Sequence, residues 1–266
     1  MNTSARLDTS PADFHCLDGR LRLQGTIVTR TALHIGAADG GDIAEMPVLK
    51  DGRGLPFIPG ASLKGVLRST LESLVRAVED RTCGLWACDS LDEKTACGAH
   101  EQGQRGKVDV AEHCAICRVL GSRIVSSHVR ISDAMMVYDD GPSPVELRDG
   151  VAIDRDLGVV SGAKKYQFEV VAPGTVFDLE VFVENPRPWL MGLISIGWDQ
   201  IADGFTAVGG FTSRGLGRVG LEWKKGEMVT ARSLLRGDGP TVWDLEELTQ
   251  QRQQWREALS QRVGGR

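Results

Sequence analysis

The sequence predicts an α+β fold in which the elements follow the order strand, helix, strand, strand, helix, strand. Three observations support this prediction: apolar and polar residues alternate at 20–30, they alternate again at 175–185, and leucines recur at helical spacing from Leu63 onward. This order is that of the ferredoxin-like core, which RNA-recognition domains share. We expect long insertions between the elements of this core.

The first strand is predicted at 20–30, in RLRLQGTIVTR. Because side chains alternate across a strand, one face should be buried and the other should be basic and polar. The expected buried residues are Leu21, Leu23 and Ile27. The expected exposed residues are Arg20, Arg22, Gln24 and Thr26.

A helix is predicted next, after the turn that contains Pro59 and Gly60. Ser62 is the expected N-cap, and Lys64 and Arg68 lie one turn apart on the helix. Free amides at the helix start and two cations would suit a phosphate, whereas the alternative is a capped surface helix with two solvated cations. The Walker spacing is absent. The expected apolar face carries Leu63, Leu67, Leu71, Leu74, Val75 and Val78.

The remaining elements are predicted from the same two periodicities. In order they are a strand at 129–138, a strand at 175–185, a buried helix at 189–204 and a strand at 217–223. An acidic amphipathic helix is expected at 240–263. Its apolar residues should pack on the body of the protein or on a neighbour, and they are Trp243, Leu245, Leu248, Trp255 and Leu259.

Three stretches are too long to be ordinary connections between these elements. They are an acidic loop at 33–60, a cysteine-rich insertion at 79–127 and a predicted hairpin at 140–174. Ordinary connections have about 4–6 residues, and loops of greater length are usually functional. We therefore sought the chemistry of the protein in these three insertions.

The composition limits the classes of function. The chain is 41% hydrophobic and 25% charged, as in soluble globular proteins, and its net charge is −5. No stretch approaches the ~20 apolar residues of a membrane span, and the segment 1–16 lacks the apolar region of a signal peptide, so we expect a cytoplasmic protein. The acidic balance means that any nucleic-acid binding must depend on local basic faces.

Five of the six cysteines lie at 83–117, which favours a metal site over a disulfide framework. Cys114 and Cys117 form a C-x-x-C pair, and Cys97 is the next candidate ligand. The fourth ligand is expected to be Cys88, with Cys83 and His100 as alternatives. A thiolate-rich site has no open coordination position, so we expect structural Zn²⁺. A redox C-x-x-C lacks the surrounding β-α-β pattern.

The acidic loop contains His34, Asp39, Asp42 and Glu45 among glycines. Carboxylates next to a phosphate site can hold Mg²⁺ and promote phosphodiester cleavage, although acidic loops are also common as solvated turns. A lone histidine such as His34 is more often a packing residue than a base.

A glycine-rich segment at 209–223 carries Arg214 and Arg218. Glycines allow a backbone to approach a ligand closely, and arginines suit phosphates. The alternative is a tight turn before an edge strand. The spacing does not match a dinucleotide-binding loop.

Several motifs occur in order along the chain: LHIG, MPVLKDGRGLPFIPGASLKGVLR, CAICRVLGS, VRISDA, an IDR-containing hairpin and GGFTSRGLGRVGLEW. In this order the chain resembles the backbone RAMP subunit of type III CRISPR-Cas effector complexes, over about residues 20–224. The resemblance implies a single RAMP domain at 18–232 in a ribonucleoprotein of antiviral defence. Copies of the chain and other type III effector subunits would stack along a CRISPR guide RNA, which pairs with target RNA.

The resemblance also implies a set of RNA contacts. His34, Ser62, Lys64 and Arg68 would contact the guide, and Arg214 and Arg218 would form a second phosphate clamp. The hairpin at 140–174 would be the thumb that displaces a guide nucleotide at regular intervals. The basic residues on this hairpin are Arg155, Lys164 and Lys165.

The resemblance implies that the target RNA opposite each thumb is cut in a reaction that needs Mg²⁺ or Mn²⁺ and an aspartate shortly before a P-V pair. The matching residue here is Glu45, in AEMPV, which is a departure because its side chain is longer. Asp42 or Asp39 would substitute if the loop is reordered. The alternative function is a stand-alone RAMP endoribonuclease that processes CRISPR precursor RNA, with His34 as general base.

Overall fold

The computed structural model describes residues 14–37, 44–99, 110–138, 141–153 and 160–263, with side chains described outside 152–164. In chain order, these residues form β1 (Gly19–Thr29), β2 (Phe57–Ile58), α1 (Gly60–Val78), α2 (Ala115–Leu120), β3 (Val129–Ile131), β4 (Ala134–Met135), β5 (Val145–Ile153), β6 (Val160–Val171), β7 (Val176–Glu184), α3 (Pro188–Ala202), β8 (Val219–Thr230), α4 (Ala231–Arg236), β9 (Thr241–Trp243) and α5 (Leu245–Val263).

The main sheet of the described chain has the order β3-β7-β1-β8-β9, and each pair of neighbours is antiparallel. The alternation predicted for β1 and β7 is confirmed. β1 buries Leu21, Leu23 and Ile27, and β7 buries its apolar residues at every second position from Phe177 to Val183. The chain is thus a mixed α/β protein built on an antiparallel sheet.

Helices α1, α3 and α5 pack over the apolar face of this sheet. Helix α3 begins with Pro188 at its first turn and is buried around most of its circumference, as the sequence predicts. Helix α5 lies against α3, where Gly192 permits close approach: a Cβ at that position would lie 2.3 Å from the carbonyl oxygen of Trp255. The C-terminal helix therefore packs on the body of the same chain.

The opposite face of the sheet carries a network of charges. Arg22 Nε donates to Glu180 Oε1 over 2.6 Å, and Arg22 also pairs with Glu227 at 3.4 Å. Lys225 Nζ donates to Glu227 over 2.7 Å, and this hydrogen bond lowers the pKa of the Glu227 carboxyl. The paired carboxylates make this face unsuited to binding a polyanion.

Strands β5 and β6 pair with each other as an antiparallel hairpin and, among the described residues, pair with no strand of the main sheet. Tyr166 lies opposite Gly150, and a Cβ there would come within 2.1 Å of the Tyr166 ring. The root of the hairpin is joined to the segment after β1 by two backbone hydrogen bonds between Leu33 and Val171, of 2.9 and 2.7 Å.

Several local predictions are wrong. The single strand predicted at 129–138 is divided into β3 and β4, because the chain leaves the main sheet at Asp133 and pairs with β2 instead. Helix α4 is an element that the sequence does not predict. The C-terminal helix predicted at 240–263 begins only at Leu245, because 241–243 form strand β9, and Leu245 itself is exposed. Thr26 is buried, and Leu74 and Val78 of α1 are exposed. No helix among the described residues is long and apolar enough to cross a bilayer.

Candidate functional site

Four cysteines of the insertion form a cluster whose Sγ atoms all lie within 4.8 Å of one another: Cys88, Cys97, Cys114 and Cys117. The Cys88 sulfur is 3.5 Å from that of Cys117 and 3.7 Å from that of Cys114. Zinc–sulfur bonds of about 2.3 Å in a tetrahedron place sulfurs about 3.8 Å apart. The cluster therefore fits a four-coordinate metal ion, and it brings together the four cysteines expected from the sequence.

The chain fixes two of these thiols through the start of α2. Cys114 is the N-cap of α2, and its Sγ accepts a hydrogen bond from the Cys117 amide over 3.3 Å. The Cys114 amide donates in turn to Cys97 Sγ over 3.3 Å. Hydrogen bonds among the four thiols lower the pKa of Cys88 and lower that of Cys114 to about 7, whereas they raise the pKa of Cys97 and of Cys117. Thiolate is the form that binds metals.

The structure decides between two of the alternatives for the fourth ligand. Cys88 belongs to the cluster, whereas the buried Cys83 directs its thiol to the carbonyl oxygen of Asp80 at 3.4 Å. His100, the third alternative, lies outside the described residues.

Three charged residues of α1, spaced four apart, surround the cluster. Glu72 is buried and accepts hydrogen bonds from Arg68 and Arg76, each over 3.3 Å. Arg68 also reaches Cys117 Sγ at 3.8 Å, and Arg76 donates to the backbone oxygen of Cys88. A divalent ion with four thiolates carries a charge of about −2, which two arginines would offset. Arg68 and Arg76 thus lie against the cysteine cluster, and Glu72, which pairs with both, would form an outer shell with them around a bound metal ion.

A cleft of about 480 Å³ lies beside the cluster, between α1 and residues 120–127. We call it the α1 cleft. Its polar lining consists of Lys64, Arg68, Arg123, Ser122, Ser126 and Ser127, with Ser90 near the insertion. Lys64 Nζ donates to the carbonyl oxygen of Val129 over 3.1 Å, and burial, reinforced by the Arg68 charge, lowers the pKa of Lys64. Half-buried cations with hydroxyls are suited to binding a phosphate.

The predicted cap of α1 is wrong. Pro59 is the N-cap, and the Ser62 side chain makes no capping hydrogen bond. Instead, Asp133 Oδ1 accepts from the Gly60 amide over 2.8 Å. The two segments approach so closely that a Cβ on Gly60 would lie 2.1 Å from the carbonyl oxygen of Ile131. A carboxylate thus occupies the helix start where the sequence suggested a phosphate.

A second group of candidate residues meets at the root of the hairpin, around the buried Glu169 of β6. The Glu169 carboxylate accepts from the Val48 amide over 3.0 Å and pairs with Lys50 at 2.9 Å, while its backbone oxygen lies 2.7 Å from His34 Nδ1. The segment that follows Glu45 is therefore fixed along the hairpin. Glu45 itself is exposed.

His34 is buried at this root and packs against two rings that also contact each other. Its ring centre is 5.0 Å from that of Phe211 and 6.2 Å from that of Phe168. The glycine-rich loop lies directly over it, because a Cβ on Gly209 would come within 2.3 Å of the His34 carbonyl oxygen. This arrangement favours packing as the role of His34.

The two arginines of the glycine-rich loop are both exposed. Arg214 Nη1 donates to the hydroxyl of Tyr166, and its guanidinium lies 5.1 Å from the centre of the Phe211 ring. The Arg218 backbone is hydrogen-bonded to Thr31. The loop thereby brings Arg214 to the hairpin root, whereas the guanidinium of Arg218 lies beside Gly204, just after α3.

The described contacts keep the two groups of cations apart. Lys64 and Arg68 face β3 and α2, whereas Thr70, on another side of α1, contacts Thr206 near the glycine-rich loop at 3.2 Å. On the hairpin, Lys165 is paired with Asp149 at 2.9 Å. Asp39, Asp42, Arg155 and the side chain of Lys164 lie outside the described residues.

Sequence reasoning missed Glu72, Glu169, Tyr166 and Phe211. For Glu72 a signal was present, because it lies four residues from an arginine on each side and interrupts the apolar face of α1. The positions of Glu169, Tyr166 and Phe211 depend on contacts between distant segments, so periodicity carries no signal for them.

Comparison with known proteins gives two matches. The chain is 27% identical over 220 residues to the CRISPR system Cms endoribonuclease Csm3 of Methanocaldococcus jannaschii, and the alignment covers 76% of this chain and 79% of that protein. The family model of the RAMP superfamily matches residues 26–220, which is most of the chain. The chain therefore belongs to the RAMP superfamily.

Proposed function

We propose that the chain is a backbone subunit of a type III CRISPR ribonucleoprotein, in which stacked copies bind a guide RNA and present it to target RNA. The observation that carries this proposal is the similarity to an endoribonuclease of a CRISPR system over three quarters of the chain. Other effector subunits, the guide and the target are the expected partners. We expect a cytoplasmic location and one domain at 18–232.

We further propose that the core is ferredoxin-like. The strand order β8-β1-β7-β3, with α1 after β1 and α3 after β7, supports this assignment, because it is the order in which a β-α-β-β-α-β chain forms an antiparallel sheet. The hairpin β5–β6 would be the thumb, carrying Arg155, Lys164 and Lys165.

Guide RNA would bind at the basic surfaces rather than on the open sheet face, where carboxylates are paired with arginines and lysines. The α1 cleft, with Lys64 and Arg68, and the loop with Arg214 and Arg218 are the candidate phosphate contacts. Ser62 is the remaining candidate, whereas the buried His34, which the sequence also suggested, would support the loop rather than contact RNA. Stacking of copies would be needed to join the two surfaces, since they lie apart in one chain.

Target cleavage would use a divalent ion, Mg²⁺ or Mn²⁺, that offsets charge on the phosphate being attacked. Glu45 would bind this ion, because its carboxylate is exposed and the following segment is fixed to the hairpin by Glu169. Asp42 and Asp39 are the alternative ligands. We propose a structural role for the metal at the cysteine cluster, since four thiolates leave no open position.

The burial of His34 argues against a stand-alone nuclease with this residue as general base. Its Nδ1 lies 2.7 Å from the Glu169 carbonyl oxygen and its ring packs against Phe168 and Phe211. A monomer that purifies without RNA and cuts precursor RNA in the absence of metal would contradict the proposed function.

The proposal is tested by incubating the purified complex and Mg²⁺ with a labelled RNA complementary to the guide. We expect cuts at evenly spaced positions in the wild type. Glu45→Ala should abolish cutting and leave target binding unchanged, because a metal ligand is lost while the RNA contacts remain. The matched control is Glu93→Ala, which removes an exposed carboxylate in the cysteine insertion and should cut normally. Undiminished cutting by Glu45→Ala would move the role to Asp42 or Asp39.

A further inference from the structure

The exposed side chain of Arg214 is held in one orientation by two aromatic residues. Its guanidinium lies 5.1 Å from the centre of the Phe211 ring, and its Nη1 donates to the Tyr166 hydroxyl. Tyr166 is fixed in turn, because its ring packs over Gly150 of the neighbouring strand. An arginine on the surface is ordinarily free to rotate, so this arrangement keeps one planar group in place at low entropic cost.

Phe211 has an unusual backbone conformation. Its φ is 57° and its ψ is 26°, in the left-handed region that a residue with a large side chain rarely adopts. Glycine or asparagine would occupy this position with less strain. Strain of this kind is commonly found at functional sites, where the surrounding structure maintains it.

The ring of Phe211 rests on a buried aromatic layer. Its centre is 5.0 Å from that of His34 and 5.0 Å from that of Phe168, both of which are buried. The backbone oxygen of Glu169 is hydrogen-bonded to His34 Nδ1 and so holds the His34 ring in place. Packing contacts therefore connect the buried aromatic residues, through Phe211, to the exposed guanidinium of Arg214.

We propose that Arg214 and Phe211 form a stacking site for one unpaired base of the bound RNA, with Tyr166 as a positioning residue. This inference rests on the proposed function and specifies how RNA is recognised at the hairpin root. Unpaired RNA bases stack on aromatic rings and on guanidinium planes, and such stacking is tolerant of base identity. One N–H donor of Arg214 is already hydrogen-bonded to Tyr166. The RNA base would therefore contact the planar face of the Arg214 guanidinium.

The test compares the binding of single-stranded RNA by full-length variants, using fluorescence anisotropy at several salt concentrations. Phe211→Asn suits the left-handed backbone but removes the ring, so the affinity should fall about tenfold. The slope of log affinity against log salt should stay unchanged, because no phosphate contact is lost. Arg214→Gln should lower the affinity. Where the Arg214 cation also contacts a phosphate, the magnitude of the salt slope should fall by about 0.7.

Two further variants separate stacking from folding. Phe211→Trp keeps an aromatic ring and should bind at least as tightly as the wild type. Tyr166→Phe removes only the hydroxyl that orients Arg214 and should weaken binding a few-fold. The matched control is Ser213→Ala, an exposed residue of the same loop, which should bind as the wild type does. An RNA with abasic sites should bind the wild type and Phe211→Asn equally.

The outcomes distinguish this inference from the proposed function. If the wild type binds RNA and Phe211→Asn binds it equally well, the stacking site is disproved and the proposed function stands. The same conclusion follows if Phe211→Trp binds RNA as weakly as Phe211→Asn does. If Arg214→Gln alone weakens binding, with a smaller slope, Arg214 is a phosphate contact only and the inference fails. A wild type that binds neither guide nor single-stranded RNA overturns both.

Discussion

Glu72 links helix α1 to the metal site. Its carboxylate lies between Arg68 and Arg76, which reach the ligand Cys117 and the backbone of Cys88. A buried carboxylate is costly unless it is paired, and the Glu72 carboxylate is paired with one arginine on each side. Glu72 therefore orients two cations toward a centre that is negatively charged when thiolates bind a divalent ion.

Glu72→Gln tests this role. The neutral amide keeps the shape of the side chain but weakens its hold on both arginines, so the free energy of unfolding should fall by about 1–3 kcal/mol. Zinc should also transfer faster to a chelator, because the ligands are less firmly held. Urea denaturation and a colorimetric chelator assay measure the two effects.

The control for this prediction is Glu79→Gln. Glu79 forms an exposed ion pair with Arg81 just beyond α1, and exposed pairs contribute little. The stability of the Glu79→Gln variant and its rate of zinc release should match those of the wild type. Equal behaviour of the two variants would mean that Glu72 is not part of the outer shell.

At the scale of elements, the sequence predicted those whose burial follows a single period. β7 has strict alternation, and α3 is apolar around most of its surface, so both were recognised. The division of 129–138 could not be predicted, because it depends on a hydrogen bond between Asp133 and the amide of Gly60, 73 residues earlier. β9 has three residues and is a strand only because β8 extends far enough to pair with it.

The same reasoning applies to the candidate site. The C-x-x-C pair is local, so its spacing identified it, and the structure added the choice of Cys88 over Cys83. The hairpin root is an assembly of four distant segments around Glu169 and His34. Only the fold brings these segments together, and a sequence pattern records none of their contacts.

The packing of α5 on α3 yields a prediction based on two glycines in helices. In Gly192→Ala the new methyl group would meet the Trp255 carbonyl, and we expect stability to fall by about 1–3 kcal/mol despite the better helix propensity. In Gly65→Ala, on α1, nothing lies within 4 Å of the added Cβ, so stability should rise by about 0.5–1 kcal/mol. Urea denaturation of both variants checks the pair, and a gain for Gly192→Ala would mean that α5 does not lie this close.

At the scale of the whole molecule, the net charge is −5, yet cations line the α1 cleft and the glycine-rich loop. On the open sheet face, carboxylates and cations are paired with one another. Such a distribution allows a chain with an acidic balance to bind RNA locally. The basic cleft, however, shares Arg68 with the metal site, so its geometry depends on the metal.

Loss of the metal should therefore destabilise α1 as well as the cysteine-rich insertion. In Cys114→Ser combined with Cys117→Ser, we expect no bound zinc by elemental analysis, because two thiolate ligands are lost. Arg68 then loses its sulfur contact, so hydrogen exchange should rise along α1 as well as at 83–127. The melting temperature should fall by at least about 5 °C. Cys83→Ser, which alters a buried thiol outside the cluster, should retain one zinc per chain and normal exchange in α1. A full zinc content in the double variant would refute the metal site, and faster exchange confined to the insertion would refute its coupling to the basic cleft.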